Sequence, residues 1–514
     1  MTEQGKNNVE KSERTLSRGI MPWHVSLIAL GGIIGSCYFL GLGLTFSEMG
    51  PGAVLIAYAI AGLTIYGVMQ SFAELLVNIP RRGSFVSYTR EFMGDTASAG
   101  IGWAFWANWV AYVPSEALAT AVFMNYFITL PFENEAWSTF VWGVVALALL
   151  TAVNLYHVKW FGHIESVMAI IKILAIAVFV LCAVGIWMGV IGGNLHPFTD
   201  GSGFIGSQIL LGGGEGSIVE KLFPAGGFII ITYMIWTLVN FQGSEIVGLS
   251  AAETQDPATN VPLACRRVAF RIILIYLIPV FTLTLVVPYA EAGLDESIFA
   301  YTLGAYGLRW AAGLFTIVTL VAAFSCANSG LYGTVRALYG LSVEGMAPKF
   351  LSNLNRFNTP QNATIFTIIP IWLVFLLGFA SDELGLWGAN GLPLYANLLG
   401  ISGFTGTLCW VGICWSQVTF RKKLKERGYD PNEVLTVKAK WYPGLAYFAI
   451  ALQVGAMILL VFEDGGMPVF IISLIAIFLP ITVYALQKKR GKIRTVVTLG
   501  SDEVTFDEKF PIKN

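Results

Sequence analysis

The chain has 514 residues, of which 55% are hydrophobic and 12% are charged. Soluble domains carry about 25% charged residues, so this composition excludes a soluble globular protein and indicates an integral membrane protein. The formal net charge of −1 gives no sign of a nucleic acid or of a strongly charged partner.

The first 22 residues are polar and contain charges of both signs. They lack a short apolar core followed by a small-residue cleavage site, so we expect no cleaved signal peptide and interpret 1–22 as a cytoplasmic tail. The six cysteines lie in or beside apolar segments, without the spacing of metal ligands. We therefore expect reduced cysteines, no bound metal and no cofactor.

Twelve apolar runs are long enough to cross about 30 Å of hydrocarbon, which takes roughly 20 helical residues. We number them spans 1 to 12. They cover, in order, about 24–47, 53–79, 98–128, 138–157, 164–190, 226–250, 267–289, 310–342, 362–380, 392–417, 442–462 and 467–487. The predicted fold class is an all-α integral membrane protein with 12 transmembrane helices.

The basic residues set the direction of the spans, since Lys and Arg concentrate in cytoplasmic connections. Placing both termini in the cytoplasm puts 28 of the 31 Lys and Arg residues in inside segments, two outside, and Lys172 alone within the membrane. Residues 191–225 then form an extracellular loop, to which we assign no function. Residues 418–441 and 488–514 are a cytoplasmic loop and a cytoplasmic tail.

Two spans carry glycines and polar residues where a membrane helix is normally continuous. Span 1 contains ALGGIIGSCYFLGLG at 29–43, in which five of fifteen positions are Gly, and span 6 reads WTLVNFQGSEIVGLS at 236–250. Gly costs about 1 kcal/mol against Ala in a helix interior. A broken membrane helix is tolerable only where protein or a wet cavity satisfies its backbone. The two stretches therefore predict a break in each helix.

The second interruption lies five spans after the first. A unit that begins at span 6 is therefore inserted in the opposite direction from one that begins at span 1. Two broken helices at matching positions of inverted halves are typical of the midplane site of a secondary transporter. The alternative is that the glycines only permit close helix packing, as small-xxx-small patterns do, and Gly31 and Gly35 have that spacing.

Three motifs carry a resemblance to a known family: GGIIGSCYFLG in span 1, FAELLVNIPRRGSFVSYTREFMG at the end of span 2, and FQGSEIVGLSAAETQDPATNVPLACRRV from span 6 onward. They are similar to bacterial amino acid permeases of the amino acid–polyamine–organocation superfamily. The most similar branch contains the lysine, aromatic amino acid and 4-aminobutyrate permeases. The resemblance implies a LeuT-type fold with proton-coupled amino acid uptake. Its inverted repeats would be 23–190 (spans 1–5) and 226–417 (spans 6–10), with two further helices in 442–487.

The two breaks complement both ends of a zwitterionic amino acid. Free N–H groups at the start of the outer half of span 1 suit a carboxylate, and free carbonyls beside both breaks suit the ammonium. The resemblance places the substrate backbone at the same positions. The candidate substrate-binding residues are Ile33, Ile34, Gly35, Ser36, Cys37, Glu116, Asn240, Phe241, Gln242, Gly243 and Ser244. Many relatives have Gly where this chain has Cys37, which either narrows the carboxylate site or is a harmless small residue.

Lys172 is the charge that indicates most about mechanism. It lies about 15 Å along a helix from Gly162 at the cytoplasmic edge, and a charge at that depth is a functional candidate by default. In relatives a Lys at the matching place of span 5 stands in for a sodium ion beside span 1. We therefore assign Lys172 to proton coupling, with a structural salt bridge as the alternative, and disfavour sodium coupling.

Three glutamates of the predicted spans have candidate roles. Glu245 follows the span 6 break and either carries a proton or bonds the unwound backbone. Glu116 in span 3 faces the substrate pocket or pairs with a polar partner. Glu74, seven residues before Arg81, is expected to pair with a nearby Arg.

Spans 8 and 10 add polar and small residues. Span 8 carries Ser325, Asn328 and Ser329 on one polar stripe, which lines the pathway or bonds span 1. Span 10 offers Ser402, Gly403 and Thr405 as walls of the pocket.

These features predict a secondary active transporter that imports an amino acid across the bacterial cytoplasmic membrane by proton symport, with alternating access. A neutral L-amino acid is favoured, because the acidic candidates have plausible structural tasks. A cationic amino acid permease and an amino-acid sensor with little flux stay open as alternatives. HExxH and GxSxG motifs are missing from the sequence, so an enzyme is not expected. The expected partners are the amino acid, protons and the lipid bilayer, with no nucleic acid, and the residues indicate no oligomeric state.

Overall fold

The structure is a computed structural model of the chain. It describes residues 34–81, 85–155, 161–192, 197–198, 217–246, 272–355, 359–384, 394–491 and 505–512, without the side chains at 161–164 and 382. Ile33 and the segment that follows span 6, with its AAETQDPATNVPLA motif, lie outside the described residues.

The described elements are helices. Their bounds are Ser36–Phe39, Gly41–Met49, Pro51–Asn78, Phe85–Met93, Asp95–Asn125, Glu135–Leu155, Phe161–Trp187, Ile218–Leu222, Ile229–Thr232, Met234–Leu238, Ile278–Thr284, Ile298–Ala305, Arg309–Val343, Gln361–Glu383, Leu394–Glu426, Pro431–Val434, Gly444–Leu459, Gly466–Lys489 and Phe506–Lys509. Short 3₁₀ turns cover Val239–Phe241, Tyr289–Glu291, Lys349–Ser352 and Leu460–Phe462, and a π-helical segment covers Ile272–Leu277.

Eight helices in the described part of the chain are long and apolar enough to cross a membrane. They lie at the positions of spans 2, 4, 5, 8, 9, 10, 11 and 12. The helix Asp95–Asn125, at span 3, is long enough but less apolar, and spans 1, 6 and 7 are built from shorter described pieces. The chain is therefore a multi-pass helical membrane protein. The count of twelve spans and the inverted repeat stay predictions.

Span 3 forms the centre of the molecule and packs against spans 4, 8 and 10. Large apolar side chains such as Leu149, Leu181 and Ile475 are exposed on the outer helices, as expected where the surroundings are lipid. In contrast, the charged side chains of Glu116 and Lys172 are buried in the interior. The helix bundle therefore encloses charged groups at the depth of the spans.

Among the described residues of span 1, the first helix begins at Ser36. The preceding Gly35 has an extended backbone, with φ −120° and ψ −164°, so the chain enters Ser36–Phe39 from a non-helical segment. This is the outer side of the predicted break, and the residues before Ile34 lie outside the described part.

In span 6 the helix tightens and then stops. It continues to Leu238, passes into the 3₁₀ turn Val239–Phe241, and gives way to an extended Gln242 with φ −65° and ψ 146°. Gly243 then takes φ +97°, a conformation that favours glycine because it has no Cβ. The polar, glycine-centred stretch of span 6 therefore interrupts the helix as the sequence predicts.

Spans 2 and 10 are joined at one end of the molecule by a buried ion pair. Arg421 donates from Nε to Glu74 Oε1 at 2.7 Å and from Nη2 to Glu74 Oε2 at 2.5 Å. Gln417 and the Ala439 N–H donate to the same carboxylate. The predicted pairing of Glu74 with an Arg is present, but its partner comes from span 10 and not from the adjacent Arg81.

The segment 505–512 lies against the same end of the molecule. The ring of Phe506 packs between Phe92 and Phe420, with centroid separations of 5.6 and 5.8 Å. Its backbone N–H donates to Glu91 Oε1 at 2.8 Å. The tail thus connects the helix Phe85–Met93 to the end of span 10.

Candidate functional site at the helix breaks

The start of the span 1 helix is occupied by an internal carboxylate. The Ser36 N–H lies 3.0 Å from both Glu116 Oε1 and Glu116 Oε2, and the Ser36 hydroxyl lies 2.9 Å from the Tyr395 hydroxyl. A helix N-terminus has unpaired N–H groups and a positive dipole end, so a carboxylate suits this position. In this structure Glu116 therefore occupies the position at which the sequence predicts the substrate carboxylate.

Gly35 allows side chains of two neighbouring spans, 3 and 8, to approach the backbone of span 1. A Cβ at this position would meet Glu116 Oε1, and it would lie 2.7 Å from Cys326 Sγ and 2.8 Å from the Tyr112 hydroxyl. Cys37 contributes to the same narrow region, since its Sγ lies 2.9 Å from the Tyr112 hydroxyl. The thiol of Cys37 therefore faces the interior beside span 3.

Lys172 reaches the span 1 break from span 5. Its Nζ donates to the Ile34 carbonyl at 2.9 Å and to Ser325 Oγ at 3.0 Å, and the side chain is fully buried. The Ile34 carbonyl, predicted to receive the substrate ammonium, thus already accepts a bond from an internal ammonium. A carbonyl oxygen has two lone pairs, so a second donor can still bind it.

Glu165 is a buried charge that the sequence analysis missed. Its Oε2 accepts a hydrogen bond from Ser325 at 2.6 Å and its Oε1 accepts one from Asn328 at 3.0 Å. Asn154 in turn donates to Asn328 Oδ1 at 2.9 Å. Ser325 and Asn328 of the span 8 stripe thus form hydrogen bonds with span 5, instead of span 1. The available signal was spacing, because Glu165 precedes Lys172 by seven residues, two turns along one helix face.

The polar side chains before the span 6 break are held by the protein. The Asn240 side-chain amide donates to the Trp236 carbonyl at 2.9 Å, while the Asn240 backbone carbonyl accepts a bond from the Tyr276 hydroxyl at 2.8 Å. The Gln242 amide donates to the Ser402 carbonyl at 3.0 Å, and its Oε1 lies 2.9 Å from the Ser402 hydroxyl. Gln242 is therefore fixed to span 10 at both ends of its amide.

Glu245 satisfies the unwound backbone after the break. Its Oε1 accepts a bond from the Gly243 N–H at 3.2 Å, and its Oε2 accepts one from Trp410 Nε1 at 2.9 Å. The Ser244 hydroxyl donates to the Phe241 carbonyl at 2.8 Å. Of the two roles predicted for Glu245, bonding to the unwound backbone is the one seen in this arrangement.

The start of the span 1 helix lies next to the break in span 6. Cys37 Sγ of span 1 is 3.9 Å from the Val239 carbonyl in the 3₁₀ turn before that break. Within the described residues, no group of three or more His, Cys, Asp or Glu side chains is arranged to hold a metal ion.

Lipid-facing helices around a buried polar centre, where the start of the span 1 helix meets the interruption of span 6, are typical of a membrane transport protein. The family model for amino acid permeases matches residues 24–492, and the chain belongs to this family. It is 31% identical to the lysine-specific permease of Escherichia coli over 446 residues, which cover 85% of each protein. It is 30% identical to a putative histidine permease of Bacillus subtilis, covering 95% of this chain and 98% of the relative. The gamma-aminobutyric acid permease of Bacillus subtilis is 29% identical, covering 89% of this chain and 90% of that protein.

Proposed function

We propose that this protein imports an amino acid across a bacterial cytoplasmic membrane by proton symport. The bond between Lys172 and the Ile34 carbonyl carries the proposal. A protonated Lys172 donates a charge-assisted hydrogen bond to the residue next to the span 1 break. When Lys172 loses its proton, this bond weakens and the start of span 1 is released. The protonation state of one side chain thereby controls the conformation of the break.

We also propose the LeuT-type arrangement of twelve spans, with both termini in the cytoplasm and with repeats at 23–190 and 226–417. The interruptions at Gly35 and at Gln242–Gly243 support it, because they occur at matching positions of the two halves. The distribution of Lys and Arg supports the orientation. Alternating access then follows from movement of one group of helices against the other around the breaks.

We propose that the substrate backbone binds at Gly35–Cys37 and at Asn240–Ser244. The Ser36 N–H, now bound to Glu116, is the group that receives the substrate carboxylate. Two carboxylates repel each other at one site, so Glu116 leaves Ser36, or takes up a proton, when the substrate arrives. The Ile34 and Asn240 carbonyls face the ammonium.

A neutral L-amino acid is the proposed substrate class. Glu116 and Glu245 each bond the backbone at a break, so neither acid is set aside for a cationic side chain. The second candidate is a cationic amino acid. The lysine-specific relative favours it, as does the Glu116 carboxylate at the site, which pairs with a cation if it leaves Ser36.

Transport by the purified protein in proteoliposomes tests the proposal. The vesicles are made alkaline inside and supplied with a mixture of the twenty radiolabelled amino acids. We expect accumulation that requires the proton gradient and that is lost in Lys172→Ala. Lys422→Ala is the matched control, because this Lys is 75% exposed. Binding without flux would identify a sensor instead, and sodium-dependent uptake would contradict proton coupling.

Competition distinguishes the two substrate classes. Unlabelled amino acids are added singly against the labelled mixture, in the wild type and in Glu116→Gln. A neutral carrier is inhibited by neutral amino acids in both proteins. Inhibition by lysine and arginine that disappears in Glu116→Gln would instead establish the cationic alternative.

A further inference from the structure

A line of hydrogen bonds runs from Lys172 to a second buried charge. Lys172 Nζ donates to Ser325 Oγ at 3.0 Å, and Ser325 Oγ donates to Glu165 Oε2 at 2.6 Å. All three side chains are fully buried. Lys172 Nζ therefore joins the Ile34 carbonyl at the span 1 break to Glu165, with the Ser325 hydroxyl as the link.

We propose that Glu165 accepts the coupling proton from Lys172 through the Ser325 hydroxyl and passes it toward the cytoplasm. This inference rests on the proposed function, because it supplies the exit route for the proton carried by Lys172. It assigns a role to a residue outside the substrate site.

The transfer conserves atoms and charge. The Lys172 ammonium gives one proton to Ser325 Oγ while the original Ser325 hydroxyl proton moves to Glu165 Oε2. Lys172 becomes a neutral amine, Ser325 remains a hydroxyl, and Glu165 becomes a neutral carboxylic acid. Because buried charges are costly, a step that converts an ammonium and a carboxylate into two neutral groups is compatible with the interior.

The direction of the line agrees with proton release to the cytoplasm. Glu165 precedes Lys172 by seven residues, so it lies about 10 Å closer to the start of span 5 along the helix axis. That end of span 5 faces the cytoplasm in the proposed topology. Because its two hydrogen bonds are only 3.0 and 2.6 Å long, the relay is a short step toward that end of span 5 and not a passage across the hydrocarbon layer.

Two amides orient the acceptor. Asn328 donates to Glu165 Oε1, which leaves Oε2 for Ser325. Asn154 donates to the Asn328 carbonyl oxygen and so directs the Asn328 NH₂ group toward Glu165. Asn154 is partly exposed near the end of Glu135–Leu155. The carboxylate is therefore fixed in the orientation that a transfer from Ser325 requires.

The other titratable groups that face Lys172 are Glu116 of span 3, Cys37 of span 1 and Cys326 of span 8. Glu116 binds the Ser36 N–H with both oxygens, and neither thiol bonds Ser325 in the described contacts. Glu165 is the carboxylate that the Ser325 hydroxyl joins to Lys172.

The test separates proton release from substrate exchange. Exchange of internal for external amino acid moves only the loaded carrier, so it does not require the proton to leave. Six purified proteins are placed in proteoliposomes: the wild type, Lys172→Ala, Glu165→Gln, Glu165→Asp, Ser325→Ala and, as an exposed control, Glu133→Gln. The labelled amino acid mixture reports gradient-driven uptake and counterflow, and a trapped pH dye reports proton entry.

We expect Glu165→Gln to lower gradient-driven uptake and the dye response about tenfold or more, because the variant lacks a positioned proton acceptor. Its counterflow should stay within about twofold of wild type, since exchange does not require release of the proton. Ser325→Ala is expected to lower coupled uptake as well. Glu165→Asp keeps a carboxylate and is expected to retain part of the coupled uptake. Glu133→Gln should behave as wild type.

The outcomes distinguish the relay from the function on which it rests. A wild type without a gradient response would overturn the proposed function itself. The relay alone would be overturned by a different result. In that case the wild type responds to the gradient and Lys172→Ala is inactive, but Glu165→Gln or Ser325→Ala keeps coupled uptake at the wild-type level. If Glu165→Gln inserts normally but loses both counterflow and uptake, Glu165 has a structural role, and the relay is overturned as well. If Glu165→Gln does not insert, Ser325→Ala and Glu165→Asp decide by the same measurements.

Discussion

Gly35 is a residue at which the candidate site is tightly packed. Its missing side chain leaves room for groups from spans 3 and 8, and the nearest of them would collide with any Cβ. The Ser36 N–H can meet Glu116 only because the backbone comes this close. One residue without a side chain thus sets the distance between span 1 and its neighbours.

Gly35→Ala is expected to abolish uptake and to destabilise the protein by about 1–3 kcal/mol, the usual cost of overpacking a tight interior. Counterflow in proteoliposomes and thermal unfolding in detergent measure the two effects. Gly455→Ala is the control, since a Cβ there meets nothing within 4 Å. Normal counterflow in Gly35→Ala would show that the crowding is relieved at no functional cost.

At the residue scale, the sequence predicts the buried charge better than its partners. Lys172 stands alone in a long apolar run, so its depth follows from counting residues. Its bonds to Ile34 and Ser325 join helices that are distant in the chain, and no local pattern specifies such pairs. Glu165 was missed because it falls at the predicted start of span 5, where a surface charge is expected.

The span 6 break depends on Gly243. Its φ of +97° connects the extended Gln242 to the turn that leads to Glu245. The Gly243 N–H is also the donor to Glu245 Oε1. The glycine therefore sets both the direction of the chain and the position of one buried carboxylate.

Gly243→Ala is expected to weaken amino acid binding about tenfold, because an L-residue in a left-handed conformation costs about 1–2 kcal/mol. Binding of the labelled amino acid mixture to purified protein checks this. Gly227→Ala serves for comparison, as its surroundings are open. Equal affinity in the two variants would mean that the break tolerates another backbone conformation.

At the element scale, hydropathy predicts where a helix crosses lipid and not where it ends. Span 10 was expected to end near residue 417, but the helix runs from Leu394 to Glu426, because the charged residues after the apolar run continue it outside the hydrocarbon. The interruption of span 6 was predictable from a glycine among polar residues. The π-helical segment Ile272–Leu277 has no such signal and was not predicted.

Across the whole molecule, the Glu74–Arg421 pair joins spans that are far apart in sequence. Glu74→Gln leaves the Arg421 charge buried, and removal of one partner of a buried ion pair costs about 3–5 kcal/mol. Thermal unfolding in detergent measures the loss. Glu426→Gln breaks an exposed pair with Lys422, and such pairs contribute about 0–1 kcal/mol. Similar unfolding temperatures for the two variants would contradict the structural role of the buried pair.

The segment 505–512 connects two helices at this end of the molecule. Phe506 is wedged between Phe92 of the helix Phe85–Met93 and Phe420 of span 10. If these two helices separate, its ring is exposed to water, which costs about 1.5–3 kcal/mol for a side chain of this size. A movement that separates these two helices therefore carries the cost of exposing this aromatic ring.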